Sequence, residues 1–205
     1  LGTVREHFLP VLMENHWTLT MAYITGVINQ QEWKQVKDVL ATGRVEIQAH
    51  GFLHNGETYF TDYTPDDVIH DEIYRPIEAF ETNLGYRPIA FIFPGGDFTA
   101  KSVKVVREAG YQLGFTIHAR GPIMFNWIPQ GEKERSIGEP LLTLPRYWST
   151  SAFIDLDKAL ELGKAAALFA EKQRLNELSW YRGYCTAYPA IPIPLVKETC
   201  EDCRK

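Results

Sequence analysis

The chain predicts an α/β fold built on parallel strands. Three observations predict it. Strand-like and helix-like runs alternate at least three times between Thr18 and Ile117, the pattern that parallel strands joined by crossover helices produce. The run "IAFIFP" is apolar throughout, as a strand buried on both faces must be. Three of the helix-like runs close on a glycine, Gly43, Gly85 and Gly110, the residue that best accepts the left-handed turn after a helix.

The elements follow in order. "VREHFLPVLMEN" places Val4, Phe8, Val11 and Leu12 on one helical stripe. "TLTMAYI" is rich in strand formers and closes at Gly26. "NQQEWKQVKDVLATG" is an amphipathic helix with Trp33, Val36, Val39 and Leu40 on its apolar face. "VEIQAH" alternates like a half-buried strand. "TPDDVIHDEIYRPIEAFETNLG" offers Thr64 as N-cap and Pro65 at the first helical position, while Pro76 should kink or divide the helix. After "IAFIFP", "TAKSVKVVREAG" is a helix and "YQLGFTI" a strand. Beyond residue 121 the expectations are a loop in "GPIMFNWIPQGEKERSIGEP" and a strand in "LLTLPRYW" that leads to Arg146. A helix in "DLDKALELGKAAALFAEKQRLNEL" follows, capped by Asp155 or Asp157, and then an extended proline-rich tail.

Composition narrows the function classes. Of 205 residues 45% are hydrophobic, enough to bury a core and to exclude general disorder. A net charge of −5 gives no basic footprint for nucleic acid. No apolar stretch reaches the roughly 18 residues of a membrane span. Cys185, Cys200 and Cys203 cluster near the C-terminus. "CEDC" lacks the second pair or nearby histidine of a zinc site, so free thiols or a tail disulfide are expected there.

In parallel α/β folds chemistry gathers at the C-terminal ends of the strands. Three stretches fall there: His50 and His54 after "VEIQA", "PGGD" after "IAFIF", and "HARGP" after "YQLGFTI". Neutral imidazole is a common metal ligand, and two histidines at this spacing can face one ion when the chain turns between them. A carboxylate would complete a three-ligand site open to water and substrate; the plain alternative is two polar loop residues that happen to be close. His7, His16 and His70 read as surface residues, and His118 as a second strand-end histidine.

The order of these segments resembles the polysaccharide deacetylases, the NodB-homology domains of carbohydrate esterase family 4, over roughly residues 4 to 148. The resemblance implies a distorted (β/α) barrel of about seven strands. It implies a deacetylase domain over 1–150, with the helix and tail of 151–205 packed on it. "AHGFLH" is similar to the family's metal motif, which implies that His50 and His54 bind a divalent ion, zinc foremost, with cobalt or nickel also possible. "FIFPGGDF" is similar to the motif aromatic, Pro, aromatic, Gly: Phe93, Pro94 and Gly96 fit, and Gly95 replaces the usual aromatic. The backbone N–H at Gly95 is then the implied oxyanion donor. Ile92 stands where one subgroup has Arg, and Arg146 falls in an "LPR" segment. Both features are nearer to the subgroup acting on poly-β-1,6-N-acetylglucosamine. Arg146 is the implied partner of a catalytic carboxylate, and Phe93, Pro94 and Trp148 the implied substrate contacts.

Two departures stand out. The family's strand ending in paired aspartates would precede the segment matching "LGTVREHFLPVL", so the barrel is expected to lack its first strand here. Asp62, Asp66, Asp67 and Asp97 do not match that motif. The family's late catalytic histidine has no counterpart, because no histidine follows His118. The implied function is removal of N-acetyl groups from an N-acetylated polysaccharide, outside the cell or in its envelope. The alternative is a catalytically incomplete domain that binds glycan or serves a structural role.

Overall fold

A computed structural model describes residues 1–55, 59–116, 132–144, 146, 168 and 175. The chain forms two compact units, Leu1–Ile117 and His118–Lys205. In the first unit four strands, β1 (Leu19–Tyr23), β2 (Val45–Ala49), β3 (Ala90–Ile92) and β4 (Leu113–Phe115), make one sheet in the order β1-β2-β3-β4. Every pairing is parallel, as the alternation of segments predicts. β1 and β2 run in register from Leu19 opposite Val45 to Tyr23 opposite Ala49. β2 and β3 share only the pair Ala49 and Phe91. The buried Gln48 side chain supplements that short ladder, its Oε1 accepting from the backbone N–H of Ile89 and Ala90, each at 3.0 Å.

The helices follow local chemistry. A π-helical turn, Val4–Phe8, runs into α1 (Leu9–Asn15). Leu12 of its stripe is buried and packs with Val39 and Val45, whereas Val11 is 46% exposed and lies off the packed face. α2 (Gln30–Leu40) starts with a capping box, Asn29 and Glu32 each bonding the other's backbone N–H. It buries Trp33, Val36 and Val39. Trp33 and Val36 meet Ile47 of β2 and Phe80. α4 (Ala100–Glu108) starts with a second capping box, Thr99 with Ser102.

α3 (Asp66–Leu84) differs from the expectation in two ways. Pro65, with extended backbone, occupies the cap position, because the Thr64 hydroxyl is spent elsewhere: it accepts from the Thr61 N–H at 2.9 Å and donates to the Tyr59 carbonyl at 2.7 Å. The helix also continues through Pro76 without a break. Ile69, Ile73, Pro76, Ile77 and Phe80 lie on its buried face, and burying that face outweighs the one lost hydrogen bond. Beyond it lies an aromatic cluster of Phe60, Phe91, Phe93 and Phe98, with ring centroids 5.3–6.1 Å apart.

The second unit corrects two expectations. The stretch read as loop contains a helix, α5 (Glu132–Ile137), where "EKER" supplies consecutive good helix formers. The stretch read as a strand begins with a 3-10 turn, Pro140–Leu142, closed by the Thr143 hydroxyl donating to the Glu139 carbonyl at 2.9 Å. Only Leu144 makes a strand-like bridge among the described residues there. Leu168 and Leu175 are helical; the rest of the expected helix, the tail, its three cysteines and His118 lie outside the described residues. No helix among the described residues is long and apolar enough to cross a membrane.

Candidate functional site

β2 delivers His50 to the C-terminal end of the sheet. The His50 backbone N–H donates to the Tyr23 carbonyl at 3.0 Å, so its backbone is still held by the β1 ladder. Its Nδ1 lies 2.7 Å from the Ile92 carbonyl at the end of β3. A carbonyl can only accept, so Nδ1 carries the proton, and in the neutral ring Nε2 keeps its lone pair. A carbonyl that fixes the tautomer in this way is the usual second partner of a metal-binding histidine. His54 arrives by a tight turn. Its own φ is 48° and that of Gly51 is 79°, and the turn brings the two imidazole centroids to 4.5 Å with their planes at 55°. The sequence spacing thus becomes a pair of adjacent rings.

The turn is wrapped around Glu72 of α3. Its carboxylate accepts from the backbone N–H groups of Phe52 and Leu53, each at 2.8 Å, and more distantly from that of His54 at 3.4 Å. Successive N–H groups converging on one anion form a nest, and hydrogen bonds to a charged acceptor contribute roughly 1.5–3 kcal/mol each. A side chain at Gly51 would put its Cβ 2.5 Å from Glu72 Oε2 and 3.0 Å from Pro94 Cγ. Arg75, one helical turn on, stacks its guanidinium 3.6 Å from the centroid of the Phe52 ring. Glu72 was not legible as a site residue, because in sequence it is one acidic residue among several on an amphipathic helix. The signal was its placement between Ile69 and Ile73, on the apolar stripe.

"PGGD" forms a 3-10 turn after β3, Pro94–Gly96, with φ at 62° for Gly95. Pro94 is buried against the histidine turn. Gly95 leaves room for Tyr59: a Cβ there would stand 3.2 Å from the Tyr59 ring. That ring also meets His54 edge-on, centroids 5.5 Å apart. Tyr59 is a further residue that the sequence reading passed over, since its run carries no motif. Phe93 is fully buried in the aromatic cluster, which places it beneath the site. Arg146 belongs to the second unit, where desolvation by burial pulls its guanidinium below the usual arginine range. Trp148 lies outside the described residues. His7, His16 and His70 are exposed, as expected.

Among the described residues no third His, Cys, Asp or Glu joins the pair as a potential metal ligand. The residues present therefore fit two of the donors of a metal site: adjacent imidazoles, one with its tautomer set for coordination through Nε2.

Comparison with known proteins gives the family and the fold. The sequence pattern of the family described as polysaccharide deacetylase matches residues 2–114. The chain belongs to the polysaccharide deacetylase family. No curated protein matches it in sequence. Among solved structures it is similar to the deacetylase PplD of Streptococcus pyogenes, in complex with acetate, at 19% identity and a TM-score of 0.53, covering 71% of this chain and 58% of that one. It is also similar to a de-N-acetylase from Aggregatibacter actinomycetemcomitans, at 14% identity and a TM-score of 0.52, covering 71% of this chain and 65% of that one. IcaB from Ammonifex degensii matches at 18% identity and a TM-score of 0.52, covering 76% of this chain and 67% of that one. These likenesses are of fold. The chain spans 58% and 65% of the length of the first two.

Proposed function

We propose that this polysaccharide deacetylase domain is part of a metal-dependent enzyme that hydrolyses N-acetyl groups on an amino-sugar polymer, nearest in kind to deacetylases of poly-β-1,6-N-acetylglucosamine, in the cell envelope or outside the cell. One observation carries the reading: His50 and His54 stand 4.5 Å apart at the C-terminal end of a parallel sheet, with His50 Nδ1 engaged by the Ile92 carbonyl. The two rings would hold a divalent cation, zinc foremost, with cobalt or nickel as alternatives. Such an ion, when bound, lowers the pKa of a coordinated water toward ~7 and polarises an amide carbonyl.

The chain's own groups supply the rest. The Gly95 N–H, presented by a turn with φ of 62°, would donate to the oxyanion that forms as the acetamide carbon becomes tetrahedral; a donor so placed is worth roughly 3–4 kcal/mol of barrier. Tyr59 packs over Gly95 and against His54, where it would limit the space open to the acetyl group. Arg146 would keep a carboxylate base ionised and oriented, a role that rests on the resemblance alone. Water and the amide together yield acetate and a free amine, and acetate is what the S. pyogenes deacetylase was solved with.

A second reading, a domain that binds glycan without hydrolysing it, is favoured by the lack of a third potential ligand among the described residues. The test is acetate release from N-acetylglucosamine oligomers by the full-length protein. Release that chelator abolishes, and that His50→Ala lowers at least a hundredfold, is the expected result. Release unaffected by chelator would overturn the metal reading, and oligomer binding without release would favour the second.

A further inference from the structure

We propose that Glu72 is the positioning residue of the histidine site: its carboxylate shapes the turn that brings the His54 ring against His50. The inference rests on the metal reading of that pair. Glu72 is 1% exposed, and no Lys, Arg or His among the described residues forms an ion pair with it. A buried carboxylate without a cation is costly, and packing alone does not call for one. Ile69, Ile73 and Ile77 occupy the same buried face of α3, and a leucine or methionine would continue that face.

What the carboxylate does engage is the backbone of the histidine turn. Oε2 accepts from Phe52 and, at longer range, from His54; Oε1 accepts from Leu53. These groups span the interval between the two histidines. The flanking residues adopt the left-handed conformation, Gly51 at φ 79° and His54 at φ 48°, which a non-glycine residue rarely holds without outside support. Gly51 packs so close that a Cβ would collide with Oε2. Arg75, from the next turn of the same helix, lies over the Phe52 ring. α3 thus grips the turn twice, and the grip ends on the residue that carries the second imidazole.

The test uses zinc alone as probe. Zinc affinity is measured by calorimetry on the unaltered chain and on Glu72→Gln, with backbone amide exchange followed at Phe52, Leu53 and His54. Glutamine keeps the shape, but its amide nitrogen must face at least one backbone N–H that the carboxylate had satisfied. Expected are zinc affinity at least tenfold lower and faster exchange at those amides in a chain that still folds. Ile73→Val, on the same buried face, is the structural control: it should lower the melting temperature and leave zinc affinity unchanged. Where Glu72→Gln does not fold, Glu72→Asp takes its place, with the charge kept and the carboxylate withdrawn by one methylene, and the same tenfold loss is expected. Zinc affinity within twofold of the unaltered chain in the folded Glu72 variant, beside its loss in His50→Ala, overturns the proposal alone. Zinc binding that survives His50→Ala overturns the metal reading and the proposal with it.

Discussion

At the scale of single residues, the site depends on a glycine that gives way to a carboxylate. Gly51 and Gly85 share the left-handed conformation, φ of 79° and 75°, but a Cβ at Gly85 would meet nothing within 4 Å. The two positions therefore separate strain from collision. Gly85→Ala should cost about 1 kcal/mol, the penalty of the conformation itself. Gly51→Ala should cost roughly 3 kcal/mol or more, because it adds contact with Glu72 Oε2 and Pro94 Cγ to the same strain. Urea unfolding of the two variants measures the difference, and equal midpoints would show that the turn yields freely around Glu72. That the His50 and His54 rings meet was legible at this scale, because their spacing and strand-end position are sequence properties. Glu72 and Tyr59 were not, because each reaches the site by way of a different segment: an acidic residue on a helix stripe, and an aromatic in a stretch without pattern.

At the scale of elements, the sequence declares helices more clearly than it declares how their ends are tied. Both capping boxes are local, with the partners three residues apart. Their strengths should differ with burial. Asn29→Ala, at an exposed cap, should cost about 1 kcal/mol, and Thr99→Ala nearer 2 kcal/mol. Thr99 and Ser102 are buried, and the substitution strands the Ser102 N–H away from water. Chemical denaturation of each variant gives both values directly. Thr64 shows the opposite case: its residue type suits a cap, yet its hydroxyl closes the 59–64 turn, a competition between neighbours that propensity does not resolve. Pro76 does not divide α3, for a related reason. Its local cost is visible in sequence, whereas the burial that outweighs it appears only once the face of α3 is covered, Phe80 by Ile47 of β2 and by Trp33.

At the scale of the whole molecule, alternation of segments was enough to read the parallel sheet, whereas its strand order appears only in the structure. What surrounds the histidine pair was not readable, since Glu72 and Tyr59 come to it from segments that spacing does not connect. The sheet's unit also carries a titration that no single segment reveals. Burial, aided by the charge of Glu32, pushes the Tyr23 hydroxyl up to about 12. Burial likewise pushes Tyr111 up, with the Arg87 cation opposing it. Tyr111 donates to the Ile73 carbonyl at 3.0 Å, a bond its phenolate could not make. In the unfolded chain both hydroxyls titrate near 10. Above that pH the unfolded state has shed protons that the folded state keeps, so stability falls as pH rises. The contribution is fully present below about pH 10 and, for Tyr23, is lost progressively up to about 12. Urea midpoints should therefore be level through neutral pH and decline from about pH 10 upward. Tyr111→Phe should flatten that decline more than Tyr23→Phe, because solvent reaches the half-exposed Tyr23 and screens its share. A decline that persists unchanged in the double variant would assign the alkaline transition to other groups, Tyr86, whose hydroxyl burial also pushes up, and the lysines.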